Sequence, residues 1–188
     1  RYDLANGGRV VGPDDWTLRR EIIAHGDNEI VVVEMTDAGL RPQSAMLVRV
    51  NEDGTERVET AYSQSQVDMK LTTVRDVTTY QRSSIPSDAR DQRSILLLAR
   101  LLPLKTGYAT RFNSYLPVAD RLDRVTLQVL NREIVSVPAG EFDAWLVELD
   151  NNYNKTKAWI GVNPPHLLVK YEDERNGGTF ELETVVED

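Results

Sequence analysis

The chain contains no cysteine and only two histidines, and these shortages remove several kinds of site at once. Without a thiol, its 188 residues can hold no disulfide scaffold, thiolate nucleophile or zinc–thiolate cluster. His25 and His166 stand in no HxxH or HExxH spacing, so we expect a structural or solvent-exposed role for each. The G-x-S-x-G, G-x-x-x-x-G-K-[ST] and G-x-G-x-x-G loops are missing too. We therefore expect no enzyme, no cofactor and no metal.

Positive charge and long apolar runs are also scarce. The chain has 22 Lys and Arg against 30 Asp and Glu, which gives a formal net charge of −8. A nucleic-acid binder needs a basic face to displace counterions, so we expect no nucleic-acid partner. We interpret Arg90, Arg93 and Arg100 as a solvated helix face rather than a basic patch. The run 95–99 falls far short of the roughly 20 residues of a spanning helix, so we expect no membrane-spanning segment.

What the sequence does have is alternation of apolar and polar residues, which is typical of strands with one face on a core. In 67–72, Val67, Met69 and Leu71 would face one way and their polar neighbours the other. The same character predicts strands over 16–24, 29–36, 44–50, 55–63, 77–82, 107–115, 124–129, 133–137, 141–149, 155–161, 166–173 and 180–183. Apolar residues on both faces of 142–147 indicate a central strand that is covered on two sides.

Short turns connect these segments, and Asn51–Gly54 suits a hairpin in which Gly54 takes a positive φ. Short connections favour antiparallel neighbours, so the sequence predicts a mainly β fold. We expect a single large curved antiparallel meander sheet, an incomplete barrel, in one domain over residues 1–188. Residues 116–123 are predicted to form a hinge or exposed loop, because Pro117 and charged residues interrupt the pattern.

One helix is predicted over 88–102. Asp91 would lie in its first turn, where a negative charge suits the helix dipole, and Pro103 would stop it. Its second half is apolar on nearly every side, whereas a surface helix shows only a stripe. We expect this short apolar helix to lie buried against the concave face of the sheet.

Two further patterns could carry chemistry. Asp150, Asn152 and Asn154 fit the first three ligand positions of a calcium loop, but Lys155 and Gly161 stand where glycine and glutamate are required. A polar hairpin is the better interpretation. Carboxylates are abundant, and an acid–base hydrolase would need two of them at a fixed separation, which a sequence does not give. That function remains an alternative.

The C-terminal third resembles a domain of unknown function found in secreted and periplasmic bacterial proteins. The residues that carry this resemblance are Val137–Ala144, Ala158–Ile160 and Pro165–Glu172, with the region Asp91–Gly107 fitting in position. That family is similar in architecture to the lipoprotein-carrier (LolA/LolB-like) proteins, which wrap an incomplete β-barrel around an apolar cavity and bind acyl chains. No position matches the arginine that such carriers use as a lid latch.

The resemblance implies a non-enzymatic envelope protein that binds or carries a lipid or another apolar ligand. It implies a periplasmic or extracytoplasmic location, and because the chain begins with Arg1 the expectation includes a signal peptide or lipid anchor upstream. An envelope protein partner is also expected. The ligand-facing candidates are Leu97, Leu101, Met69, Leu71, Trp145 and Trp159. A structural or protein-interaction module with a filled core stays open as the main alternative.

Overall fold

A computed structural model describes residues 2–6, 15–24, 27–36, 39–175 and 177–185. These residues form fourteen strands and one short α-helix. The strands are β1 (Tyr2–Asn6), β2 (Asp15–Ala24), β3 (Asp27–Thr36), β4 (Arg41–Asn51), β5 (Gly54–Tyr62), β6 (Gln66–Thr72), β7 (Thr78–Ser84), β8 (Arg90–Asp91), β9 (Ala109–Leu116), β10 (Arg121–Val137), β11 (Gly140–Asp150), β12 (Lys155–Gly161), β13 (Leu168–Asp173) and β14 (Gly178–Glu181), and the helix is α1 (Ile95–Arg100). The predicted class, mainly β with one short helix, is confirmed.

The strands form two seven-stranded sheets, one ordered β1 to β7 and the other β14 to β8. Within each sheet, every strand pairs with its neighbours in sequence, as expected for a meander. The pairs β1–β2 to β6–β7 and β10–β11 to β13–β14 are antiparallel, and the short pair β8–β9 is parallel. Alternation along single strands indicates which face is apolar, but not where the run of pairing stops. The division of the meander into two sheets was therefore not predicted.

The chain separates into two compact units. The first takes in the described residues up to Ile95 together with Asn113–Leu122, and the second takes in Leu96–Phe112 and the described residues from Asp123 onward. The first unit contains the sheet β1–β7. A single domain over the whole chain remains a prediction.

The sheet of the first unit buries two of the three apolar residues predicted to face one way on β6, and Leu71 is half-buried. On β6, Val67 and Met69 are only 1% and 8% exposed. On β3, Val31, Val33 and Met35 are fully buried. At the predicted hairpin, Asn51 pairs with Gly54, whose φ is +134°. A side chain at that φ would be strained, so glycine is required there.

The second unit contains the central strand that the sequence predicted. β11 lies between β10 and β12. Ala144 and Val147 are both fully buried although they point to opposite faces, so both faces are covered. β10 joins the two segments predicted at 124–129 and 133–137 into one strand with an irregularity between Val129 and Asn131.

The helix is shorter than predicted. Instead of a helix over 88–102, Arg90 and Asp91 form β8, Gln92–Ser94 form a 3₁₀ turn, and α1 has six residues. The reason is local, because Asp91 is extended and its carboxylate accepts a hydrogen bond from the Arg93 amide, which makes it a cap rather than a first-turn residue.

The apolar part of that helix is buried as expected, with Ile95, Leu97 and Ala99 at most 6% exposed. Within the predicted loop 116–123, Pro117–Ala119 form a 3₁₀ turn and β10 begins at Arg121. No helix among the described residues is long and apolar enough to cross a membrane.

Candidate functional site

Several strand ends of the first unit meet at one end of its sheet. In an antiparallel meander, the C-terminal ends of β3, β5 and β7 and the N-terminal ends of β4 and β6 lie at the same end of the sheet. A cleft of about 310 Å³ opens there, near the lower limit of roughly 300–1,000 Å³ for small-molecule sites. Its lining residues are Thr36, Arg41, Pro42, Tyr62, Ser63, Gln64, Ile85, Pro86, Ser87 and Ala89.

The floor of the cleft is apolar. Ile85 and Ala89 are 7% and 4% exposed and belong to a buried cluster with Val67 and Tyr115. The ring of Tyr62 packs on this cluster and meets the Tyr115 ring edge to face, at 6.5 Å between centroids and 88° between planes. The apolar floor of the cleft is therefore backed by well-packed side chains, of which only a small part is exposed.

The rim of the cleft is polar. Ser63, Gln64 and Ser87 are exposed, and so is Arg41, which has no side-chain hydrogen bond or ion pair to any residue that the structure describes. The Thr36 hydroxyl oxygen is buried and has no hydrogen-bond partner in the described part of the chain. A buried hydroxyl normally has a partner, so the Thr36 hydroxyl has unused hydrogen-bonding capacity beside the cleft.

A buried polar network fixes the wall behind Tyr62. The Tyr62 hydroxyl donates to Asp91 Oδ2 at 2.6 Å, and Arg93 Nε donates to Asp91 Oδ1 at 2.7 Å. The side chain of Asp91 is fully buried and that of Arg93 is only 7% exposed. Because two charges are removed from water here, their mutual hydrogen bonds have to offset a large desolvation cost.

This network also sets the protonation state of Tyr62. Burial of the phenol, followed by the negative charge of Asp91, raises the pKa of Tyr62 far above its ordinary value. The phenol therefore keeps its proton at neutral pH. In this position the Tyr62 hydroxyl donates its hydrogen bond to Asp91.

Arg90 holds the turn between β3 and β4 beside the cleft. Its Nε donates to the Gly39 carbonyl at 2.7 Å, and its Nη1 donates to the Asp88 carbonyl at 2.6 Å. Burial, and then the charge of nearby Arg41, lower the pKa of Arg90. The predicted solvated helix face is thus wrong, because Arg90 and Arg93 lie before the helix and are held by partners.

The third arginine of that predicted face is also bound. Arg100 donates to the carbonyls of His166 and Pro165 at 2.6 and 2.9 Å. The His166 ring nitrogen Nδ1 lies 3.0 Å from the Gly161 carbonyl, within hydrogen-bond distance. These contacts give His166 a structural role in its turn, as expected, whereas His25 lies outside the described residues.

None of the six predicted ligand-facing residues lines the cleft. Met69 and Leu71 lie on β6 in the first unit, with Met69 8% exposed and Leu71 half-buried. Leu97 is 4% exposed, whereas Leu101 lies just after α1 and is 52% exposed. A role of these residues in binding stays a prediction.

The two tryptophans of that set point to opposite faces of the second unit's sheet. Trp159 is paired with Leu146 across β11 and β12, so it shares a face with Leu146 and not with Trp145. Trp159 Nε1 donates to Glu133 Oε1 at 2.6 Å, and Arg132 lies over the Trp145 ring at 5.8 Å. They do not form one cluster.

In the hairpin whose sequence partly fits a calcium loop, side-chain oxygens accept hydrogen bonds from backbone amides of the same turn. Asp150 Oδ1 accepts from the Asn152 amide at 2.8 Å, and Asn151 Oδ1 accepts from the Asn154 amide at 2.8 Å. These bonds are those of a polar turn between β11 and β12, which confirms the hairpin interpretation. Across the described ranges, no group of three His, Asp or Glu side chains is placed to hold a metal.

Sequence reasoning missed the cleft residues because no local pattern marks them. Thr36, Arg41, Tyr62 and Ile85 are separated by up to 49 positions and meet only through the order of the strands. The one available signal was that several polar residues stand at predicted strand ends, where binding residues often occur.

Comparison with known proteins assigns the family. Neither the curated proteins nor the solved structures gave a match. Residues 22–185 match the family described as protein of unknown function DUF3108. The match covers most of the chain and includes every residue of the cleft, so the chain belongs to the DUF3108 family.

Proposed function

We propose that the chain is a non-enzymatic protein that binds a lipid or another amphiphilic ligand in the cleft of the first unit. The observation that carries this proposal is the combination of a buried apolar floor, formed by Ile85, Ala89 and Tyr62, with an open polar rim. A filled core without such a cleft would favour an interaction module instead. The cleft therefore supports ligand binding over that alternative.

The binding energy would come from the floor. Removing apolar ligand surface from water contributes roughly 25 cal/mol per Å², from which the cost of association has to be subtracted. A cleft of about 310 Å³ accommodates one short chain or one end of a longer ligand. The exposed rim would leave the polar end of the ligand in contact with water.

The absence of catalysis is part of the proposal, and the fixed state of the network supports it. Tyr62 keeps its proton, and Asp91 accepts hydrogen bonds from Tyr62 and Arg93. A general acid or base needs a pKa near the working pH and access to substrate. The Tyr62 phenol, with its raised pKa and its hydrogen bond to Asp91, does not meet the first requirement.

The proposed location is the cell envelope outside the cytoplasm, with an envelope protein as a further partner. Both parts rest on the resemblance to secreted and periplasmic domains and to lipoprotein carriers. Expression of the full-length protein in cells, followed by cell fractionation, tests the location independently of ligand binding. Recovery in the cytoplasmic fraction alone would contradict it.

The binding proposal is tested by native mass spectrometry of the purified protein and by titration with an acyl-chain fluorophore. We expect copurified lipid or saturable fluorophore binding, and we expect Ser87→Trp to weaken it by filling the mouth of the cleft. Ser84→Trp is the matched control, because Ser84 is exposed nearby on β7 but does not line the cleft. If the folded protein carries no lipid and binds no fluorophore, the proposal is wrong.

A further inference from the structure

We infer that the ligand of the cleft is an anionic amphiphile, whose carboxylate or phosphate group pairs with Arg41 and accepts a hydrogen bond from Thr36. The inference rests on the proposed function of the same cleft. It adds the charge of the ligand and the side of the cleft at which its polar end lies.

The first argument is that Arg41 has no counter-charge bound to it. Two other strand arginines of the first unit are paired, Arg20 with Glu29 at 2.6 Å and Arg82 with Asp68 at 2.5 Å, whereas Arg57 on β5, like Arg41, has no ion pair with the residues described. Arg41 lines the cleft, and no such pair joins it to the described residues. Its guanidinium therefore keeps all its donors for a planar acidic group.

The second argument is that Arg90 increases the positive potential at the same rim. Its bonds go to backbone carbonyls of Gly39 and Asp88, which do not cancel its charge. Burial lowers the pKa of Arg90 most, the charge of Arg41 lowers it further, and Asp88 acts in the other direction. The Asp88 carboxylate is bonded to Asn113 Nδ2 at 2.9 Å. A bound anion would relieve the repulsion between the two arginines.

The third argument is the position of Thr36. Thr36 and Arg41 are directly paired across β3 and β4, so their side chains lie on one face, with Cβ atoms about 4.5–5.5 Å apart. The Thr36 hydroxyl is buried without a partner among the residues described. Because this oxygen is covered by protein atoms, a hydrogen bond to a ligand oxygen on Arg41 requires the Thr36 side chain to turn towards the cleft.

The apolar floor then determines what the anion is attached to. Ile85 and Ala89 lie in the same cleft as the two polar groups, and they offer nothing to a free inorganic ion. An alkyl chain attached to the acidic group would cover them. The geometry thus fits a single molecule with one charged end and one apolar end.

Calorimetric titration with four probes tests the inference: decanoate, decyl phosphate, decanol and inorganic phosphate. The decyl compounds are kept below the concentrations at which they form micelles or separate from solution. We expect the two charged decyl compounds to bind about three- to tenfold more tightly than decanol, as for one partly exposed ionic hydrogen bond. Arg41→Gln should remove this preference, so that decanoate binds no more tightly than decanol. Arg41→Lys should restore part of it.

Arg75→Gln is the matched control, because Arg75 is exposed in the turn between β6 and β7 and does not line the cleft. If decanol binds as tightly as decanoate, or if Arg41→Gln retains the preference, the inference is wrong while the proposed function stands. If no decyl compound binds to the folded protein, the proposed function fails as well. Binding of inorganic phosphate without binding of any decyl compound would likewise contradict the proposed function.

Discussion

Each unit of the molecule contains an aspartate bound to an arginine, and the two pairs differ mainly in their exposure to water. In the first unit, the side chains of Asp91 and Arg93 are 0% and 7% exposed. In the second unit, those of Asp143 and Arg132 are 29% and 52% exposed. Both arginines bind both carboxylate oxygens, so the hydrogen-bond pattern alone does not separate the pairs.

The surroundings explain why the difference matters. Asp91 also accepts from the Tyr62 hydroxyl and from the Arg93 amide, and it begins the 3₁₀ turn beside the cleft. Asp143 and Arg132 lie across β10 and β11 near the Trp145 ring, where water can replace either partner. A buried pair is costly to break because one charge stays unpaired, whereas an exposed pair is screened.

Removal of the buried carboxylate should have the largest effect. Asp91→Ala leaves the charge of Arg93 and the hydroxyl of Tyr62 without their acceptor. We expect the free energy of unfolding to fall by about 3–5 kcal/mol, measured by urea denaturation. Asp143→Ala is the matched control and should leave the urea midpoint nearly unchanged, so equal losses for the two variants would contradict the comparison.

Removal of the Tyr62 hydroxyl should have an intermediate effect. Tyr62→Phe keeps the ring on the apolar cluster but takes one donor from a buried carboxylate. We expect a loss of about 1–3 kcal/mol in the free energy of unfolding by the same denaturation experiment. A variant as stable as the wild type would show that Arg93 alone satisfies Asp91.

The raised pKa values of two tyrosines predict a loss of stability in alkali. The pKa of Tyr62 is raised by burial and by Asp91, and burial followed by the hydrogen bond to Asp120 raises the pKa of Tyr115 to about 12. The unfolded chain releases these protons near pH ~10 and the folded chain holds them. Their contribution is therefore complete below pH ~10 and lost as the pH rises above it.

Urea denaturation between neutral pH and pH ~11 measures this loss. We expect the free energy of unfolding to fall less steeply with pH in Tyr62→Phe than in the wild type, because one of the two retained protons is absent. Identical slopes of unfolding free energy against pH in the two proteins would mean that the pKa of Tyr62 is not raised by folding. Phenolate absorbance gives an independent reading of the same titration.

Breaking the exposed pair should have the smallest effect. Arg132→Gln removes the charge next to Asp143, and Arg132 also lowers the pKa of that carboxyl through their hydrogen bond. Water takes over the contacts of both groups. We expect no measurable change in the urea midpoint at neutral pH, and a large loss would show that the pair supports the sheet around Trp145.

The strands could be predicted from the sequence because their signal is local. Alternation is visible within six residues, and β12 was placed with the bounds that it has in the structure, Lys155–Gly161. The helix was overextended because Asp91 fits a first helical turn as well as it fits a cap. Local charge does not distinguish these two positions.

The cleft could not be predicted in the same way. Arg41 and Ile85 meet because β7 follows β6 in the sheet and the 85–89 segment turns back at its end, which depends on strand order. The ligand-facing residues were instead selected for apolar character on strands. For Met69, Leu97 and Trp159 that character accounts for their burial in the fold.

The most direct test of ligand binding in the first unit is a map of amide chemical shifts as decanoate is added to the isotope-labelled protein. We expect the largest shifts at Thr36, Arg41, Tyr62 and Ala89, and we expect Arg41→Gln to reduce them. Shifts confined to the second unit, around Trp145 and Trp159, would contradict the account, and so would a spectrum that decanoate leaves unchanged.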